Sequence, residues 1–165
     1  MRVRLTDYRS LVHGEKPQIY HAPSLQAESE WLAAEIRTLQ EEGFGLQDIC
    51  VVARTNNLLK AYEKVLGEQG IETRWLSRQA DDRSKGGVRL ATMHRIKGLE
   101  FKCVFMVGIN EGVVPLAMAV QSTEDPVEHR LLDLNERALL HVAATRAVRH
   151  LLISSHGIHS PYLSA

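Results

Sequence analysis

The sequence predicts an α/β domain in three layers, with a mainly parallel sheet covered by helices on both faces. Short apolar runs that suit buried strands alternate along the chain with longer segments whose apolar residues recur at helical spacing. About six such runs and three such segments fall within 165 residues, which is the size of one ordinary domain with a real core. Two of the runs, residues 88–93 and 103–107, bracket a polar loop. An open α/β sheet presents a ligand site in this way, at the carboxyl ends of its strands.

Composition narrows the class. Hydrophobic residues make up 44% and charged residues 24%, as in soluble globular proteins. Lys+Arg and Asp+Glu number 20 each, so the chain lacks the basic excess of a free-standing, high-affinity nucleic-acid binder. Cys50 and Cys103 both lie inside apolar runs and read as buried small hydrophobes in a reducing compartment, not as a disulfide or metal pair. No signal-peptide core or membrane-length apolar run occurs, and a cytoplasmic location with no membrane partner is expected.

Residues 1–17 are polar and basic and read as an arm or linker; residues 18–165 read as the domain. Residues 18–22 suit a short strand. Ser24 is placed to cap a helix over about 25–42, with Leu32, Ile36 and Leu39 inward and Glu28, Glu30, Glu35, Glu41 and Glu42 toward solvent. Trp31 in that helix is read as core. Gly43 and Gly45 stop the helix. A buried strand follows over 48–54, then a helix over about 57–69 with Gly70 just past its end, then a strand over 72–76. Residues 77–87 are charged, end in Gly86-Gly87, and read as a loop with some freedom to move.

The strand over 88–93 ends in Thr92 and Met93, and the polar loop carries His94, Arg95, Lys97 and Glu100 before the strand over 103–107. Residues 116–126 lack periodicity and should cross the surface. A helix is expected over about 127–146, interrupted near 133–135 where helix formers are weak, and an apolar strand over 150–155 closes the sheet. His156 and His159 have a spacing that suits metal ligation. With Gly157 between them and no Cys or carboxylate nearby, they read as a chain end, and no metal is expected.

Three stretches carry a family resemblance. TMHRIKGLEF with CVFMVGINEGVVP, within residues 88–115, resembles motif V of superfamily 1 helicases of the UvrD/Rep/PcrA type. NERALLHVAATRA, residues 135–147, resembles their motif VI, and Arg54-Thr55-Asn56, within about 51–57, resembles their motif IV. Asp7-Tyr8-Arg9-Ser10 resembles the NYRS sequence that closes their first motor domain. The resemblance implies the C-terminal, second motor domain of such a helicase, with a RecA-like fold of the P-loop NTPase type. Two long motifs in order make it specific. Asn135, Ala138 and His141 depart from the usual motif VI, while Glu136, Arg137, Thr145 and Arg146 keep it. The short stretch 77–87 leaves no room for the helical insertion that large members carry between motifs IV and V.

The resemblance assigns roles. Arg54 and Arg146 are the catalytic candidates, giving positive charge to the γ-phosphate of ATP as charge grows in the transition state. Glu100 would bond the nucleotide ribose, with Gly98 letting backbone come close. Thr92 and His94 would face single-stranded DNA. The chain has no GxxxxGK[ST] and no strand ending in a paired Asp-Glu, so ATP with Mg²⁺ is expected only when an N-terminal motor domain, in the same or a separate chain, supplies that half. The implied activity is ATP-dependent translocation on single-stranded DNA, in the setting of DNA repair. The alternative is a non-catalytic nucleic-acid or protein-binding module that keeps the fold.

Overall fold

The computed structural model describes residues 16–163, so almost all of the expected arm, with Asp7 to Ser10, lies outside the described residues. In chain order the elements are β1 (Gln18–Ala22), α1 (Leu25–Glu41), β2 (Ile49–Ala53), α2 (Asn56–Glu68), β3 (Thr73–Trp75) and β4 (Val88–Thr92). They continue with β5 (Phe101–Met106), a single turn α3 (Ala117–Val120), α4 (Pro126–Ala144) and β6 (Ala147–His156). The strands form one sheet in the order β1-β6-β5-β2-β4-β3, and every pairing is parallel. The α/β class read from the sequence is the class observed.

Local chemistry sets the helix ends. The Ser24 side chain accepts from the Ala27 amide, and the Thr55 side chain accepts from Leu58. Gly43 and Gly70 follow the last turns of α1 and α2 with positive φ. The next residue in each case bonds back across the turn, Phe44 N to Leu39 O and Ile71 N to Leu66 O. This closure satisfies carbonyls that a helix end would otherwise leave unpaired.

Two cores lie on opposite faces of the sheet. α1 and α2 place Leu32, Ile36, Leu59 and Leu66 against Val51, Leu90 and Phe105. α4 places Leu140, Ala143 and Ala144 against Val52, Val104 and Ile153, with Met93 and Ile96 beside them. Trp31 belongs to the first core: it stacks on Tyr20 at 4.9 Å and meets Phe105 edge-on at 6.0 Å. Both cysteines are buried and unbridged, and burial pushes the Cys103 thiol up to about 12.

Four expectations change. First, α4 is continuous through 133–135. Asp133 pairs with Arg137 at 2.9 Å and accepts from the Tyr162 hydroxyl, so side-chain contacts outweigh weak helix propensity there. Second, the surface crossing contains the turn α3. Third, Glu28 is fully buried instead of solvated. It sits four residues before Leu32 and eight before Ile36, on the inward stripe of α1. Its Oε1 accepts from Tyr62 Oη at 2.6 Å, Gly108 N at 2.8 Å and Ser154 Oγ at 3.2 Å. Its Oε2 faces His156 Nδ1 at 3.0 Å, while Asn110 Nδ2 lies 3.2 Å from His156 Nε2. This network assigns the imidazole proton to Nδ1. Gly108 has φ +64°, and a Cβ there would be strained and would press on Leu58 Cδ2 at 2.5 Å and Tyr62 Oη at 3.0 Å.

Fourth, residues 77–87 are pinned. Arg89 on β4 is fully buried, and its guanidinium donates to Asp81 at 3.0 Å and to the carbonyls of Asp82, Lys85, Gly86 and Gly87 at 2.7–3.1 Å. A buried charge persists only when paired and hydrogen-bonded, and here the loop supplies every acceptor. No helix among the described residues is long and apolar enough to cross a membrane, and no group of three or more metal-ligating side chains is present among them.

Glu28→Ala should destabilise the fold by about 3 kcal/mol or more, because it strands buried donors, and Glu28→Gln should cost less; urea titrations of both variants check this. Ellman's reagent should react with neither thiol in the native chain and with both in denaturant, because burial denies access and keeps the thiols protonated.

Candidate functional site

A parallel sheet has two chemically different edges, and the candidate residues divide between them. β2 and β4 pair Ala53 with Thr92, so residues just past these strands share the carboxyl edge. Arg54, Thr92 and His94 lie there, and Met93 N donates to Ala53 O at 3.0 Å. His94 is exposed. Thr92 Oγ1 accepts from Arg95 N at 3.3 Å, which holds the turn that presents His94.

β5 and β6 pair Phe101 with Ala147, so residues just before these strands share the amino edge. Glu100 and Arg146 lie there, joined through Phe101 N, which donates to Arg146 O at 3.0 Å. Glu100 is exposed. The Arg146 side chain folds back on the last turn of α4, with Nε 3.3 Å from Val142 O and Nη2 3.4 Å from Thr145 Oγ1. A cation suits this place, where the carbonyl end of a helix dipole points. Gly98 lies in the stretch that runs from one edge toward the other, with φ +83°. A Cβ at Gly98 would meet no protein atom within 4 Å, and glycine adopts this φ without strain.

The register separates the two arginines. Ile49, Cys103 and His150 stand at one level across β2, β5 and β6. Arg54 is five residues beyond that level and Arg146 is four residues before it. A bulge in β6 between its pairings with Phe101 and Cys103 sets Arg146 level with Glu100. The guanidinium groups come nearer to each other than the strand positions do: Arg54 grips Glu136, and Arg146 Nε lies 3.3 Å from the carbonyl of Val142, six residues further along the same helix, about 9 Å at 1.5 Å per residue. Arg54 and Arg146 therefore flank their strands at opposite edges, while both guanidinium groups stand against α4.

Arg54 is an ion-pair residue of the interior. Its Nε and Nη2 grip Glu136 Oε2 and Oε1 at 3.1 and 2.6 Å, with the two side chains 12% and 7% exposed. Glu136 Oε2 also accepts from Leu116 N at 3.0 Å, so one carboxylate joins the end of β2, α4 and the segment before α3. Sequence reading kept Glu136 as part of motif VI without giving it a task. The available signal was its place four residues before Leu140 and seven before Ala143, on the buried stripe of α4. Between α4 and the turn after β4 lies a cleft of about 250 Å³, lined by His94, Lys97, Glu136, Leu139 and Val142 among others.

Arg54→Ala should destabilise the domain by about 3 kcal/mol, because Glu136 is left buried and uncompensated, and pairing the change with Glu136→Leu should recover part of the loss. Chemical denaturation of the two single variants and the double variant measures this coupling.

Comparisons with known proteins bear on the family and the fold. A family model described as the UvrD-like helicase C-terminal domain matches residues 4–81 and 73–157. The putative ATP-dependent DNA helicase YjcD of Bacillus subtilis is 44% identical over 68 residues, covering 41% of this chain and 9% of that protein. A probable DNA helicase of Mycoplasma pneumoniae is 29% identical over 145 residues, covering 87% of this chain and 24% of that protein. The chain thus corresponds to a minor part of the length of these relatives. Among solved structures, the C-terminal domain of a possible DNA helicase from Lactobacillus plantarum superposes with a TM-score of 0.70 at 19% identity, covering 97% of this chain and 88% of that one, a likeness of fold. With most of its length matched by that family model, the chain belongs to the UvrD-like helicase C-terminal domain family.

Proposed function

We propose that this chain is the second motor domain of an ATP-dependent DNA helicase, with nucleotide at its amino edge and single-stranded DNA along its carboxyl edge. The division of the candidate residues between the two edges of the sheet carries this reading. A motor that converts hydrolysis into movement along a strand needs nucleotide and track at separate places on one rigid body. The sheet supplies such a body.

At the amino edge, Arg146 and Glu100 are brought together by the first pairing of β5 with β6. Arg146 gives its guanidinium to the γ-phosphoryl oxygens, where charge develops toward the transition state. A planar fork suits two oxygens at once. Glu100 accepts from a ribose hydroxyl. ATP with Mg²⁺ supplies the phosphoryl group and its bound cation. The phosphate cradle and the metal carboxylates come from an N-terminal motor domain facing this edge, because the chain itself has no such cradle.

At the carboxyl edge, Thr92 and His94 meet the sugar-phosphate backbone, which asks for hydroxyl and imidazole donors without base preference. Arg54, which leaves β2 at this edge, is the second candidate for the γ-phosphate, as its motif IV resemblance implies. Its Nε and Nη2 are held by Glu136, while Nη1 makes no bond among the described residues and is not buried. That leaves one edge of the fork for a phosphate.

The chain alone should show no ATPase above background in a coupled assay with and without single-stranded DNA. Its binding to a labelled single-stranded oligonucleotide should be weak and should fall steeply between two salt concentrations, since released counterions supply most of the affinity of so few contacts. In the two-domain motor, Arg146→Ala should lower kcat on the order of 10³-fold with the melting temperature near wild type, and Arg146→Lys should restore little. Near-normal turnover in Arg146→Ala, or loss only through unfolding, would refute the γ-phosphate role.

A further inference from the structure

The stretch 77–87 reaches the amino edge through one side chain. Arg83 Nη2 donates to the Glu100 carbonyl at 2.8 Å and Nη1 to the Gln47 carbonyl at 2.9 Å. Its Nε lies 3.0 Å from Asp81 Oδ2, and its guanidinium carbon lies 4.3 Å above the centre of the Phe101 ring. All three nitrogens therefore have partners, and the plane of the fork is set by an aromatic face. Asp81 in turn is held by the fully buried Arg89. A continuous line of charge-assisted bonds runs from the interior of β4 through Asp81 and Arg83 to the backbone of Glu100.

We infer that Arg83 is a positioning residue for the nucleotide site: by clamping the Glu100 carbonyl and capping Phe101, it fixes where the Glu100 carboxylate stands to receive the ribose. This deepens the function proposed above and rests on its reading of Glu100. The exposed Glu100 side chain stands just before β5, between Leu99, whose amide donates to Ile96 O at 3.0 Å, and Phe101, whose amide donates to Arg146 O at 3.0 Å. A carboxylate on such a backbone is placed only as well as that backbone is. Arg83 adds the restraint on the Glu100 carbonyl itself, from a separate loop and through the main chain, leaving the carboxylate free for ligand. Methionine at this position would keep much of the apolar stem over Phe101 but donate to nothing. Lysine would reach one carbonyl without the planar fork.

The test is steady-state ATPase of the two-domain motor with ATP and with 2′,3′-dideoxy-ATP, for Glu100→Gln, Arg83→Met and Arg83→Lys. Arg83→Met should raise KM for ATP about tenfold, the scale of one lost hydrogen bond, with kcat within about twofold. Arg83→Lys should fall between it and wild type. With the dideoxy nucleotide, wild type and Arg83→Met should have the same KM, since no ribose hydroxyl remains to be received. If Glu100→Gln leaves KM for ATP unchanged, the ribose reading of Glu100 fails and this inference goes with it. If Glu100→Gln raises KM while Arg83→Met does not, the positioning role alone is overturned. An equal rise for ATP and the dideoxy nucleotide would make Arg83 a direct phosphate or base ligand, and a fall in kcat with KM unchanged would make it a structural brace; either result overturns the proposal. Should Arg83→Met fail to fold by circular dichroism, Arg83→Lys carries the same comparison.

Discussion

The uniform direction of six strands is the constraint from which the rest of the molecule follows. Parallel neighbours cannot be joined by tight turns, so every connection has to return across a face of the sheet. Those returns are the helices α1, α2 and α4 and the two non-helical crossings at 77–87 and 93–100. The same constraint sorts side chains by position. Residues just after a strand stand at one edge, and residues just before a strand stand at the other. Motif V is cut in two by this rule: Thr92 and His94 close β4 at the carboxyl edge, and Glu100 opens β5 at the amino edge. A single eight-residue crossing thus links the proposed track to the proposed nucleotide site.

Three buried charges hold this frame, each by collecting donors or acceptors from several elements. Glu28 gathers α1, α2, β6 and the turn after β5. Glu136 gathers the end of β2, α4 and the segment before α3. Arg89 gathers the loop between β3 and β4. Apolar packing is tolerant of small slips, whereas a buried ion is costly unless nearly all its partners are in place. Such hubs exchange some stability for a unique arrangement of the edges. They also concentrate vulnerability, since loss of one partner strands the others.

The two crossings that lack helices are stiffened in different ways. Residues 93–96 insert Met93 and Ile96 into the core under α4, so the turn that carries His94 is anchored by apolar burial. Residues 77–87 contribute little to the core and are anchored by Arg89 and Arg83 instead. One crossing leads to the carboxyl-edge residues and the other ends beside the amino-edge residues.

Much of the fold was legible in the sequence because it is carried by local signals. The 3.6-residue stripe of Leu32, Ile36 and Leu39, the cap at Ser24, the glycine at 70 and the apolar runs of β2 and β5 each act within a few residues. Motif words likewise named the candidate residues. What the sequence could not decide was which of them meet. Arg54 and Arg146 look alike as arginines at the ends of motifs, yet the register sets them at opposite edges. Glu28 read as a solvated charge, and Arg83 went unremarked within a charged loop, because their partners come from distant parts of the chain, from His156 and Ser154 in one case and from Glu100 and Gln47 in the other. By itself the sequence determined the elements, their parallel order of connection and the family of the chain. The pairing of strands decided the edges, and only tertiary contact decided which charges are buried, because a charge enters the interior where distant segments supply its hydrogen bonds and stays in water where they do not.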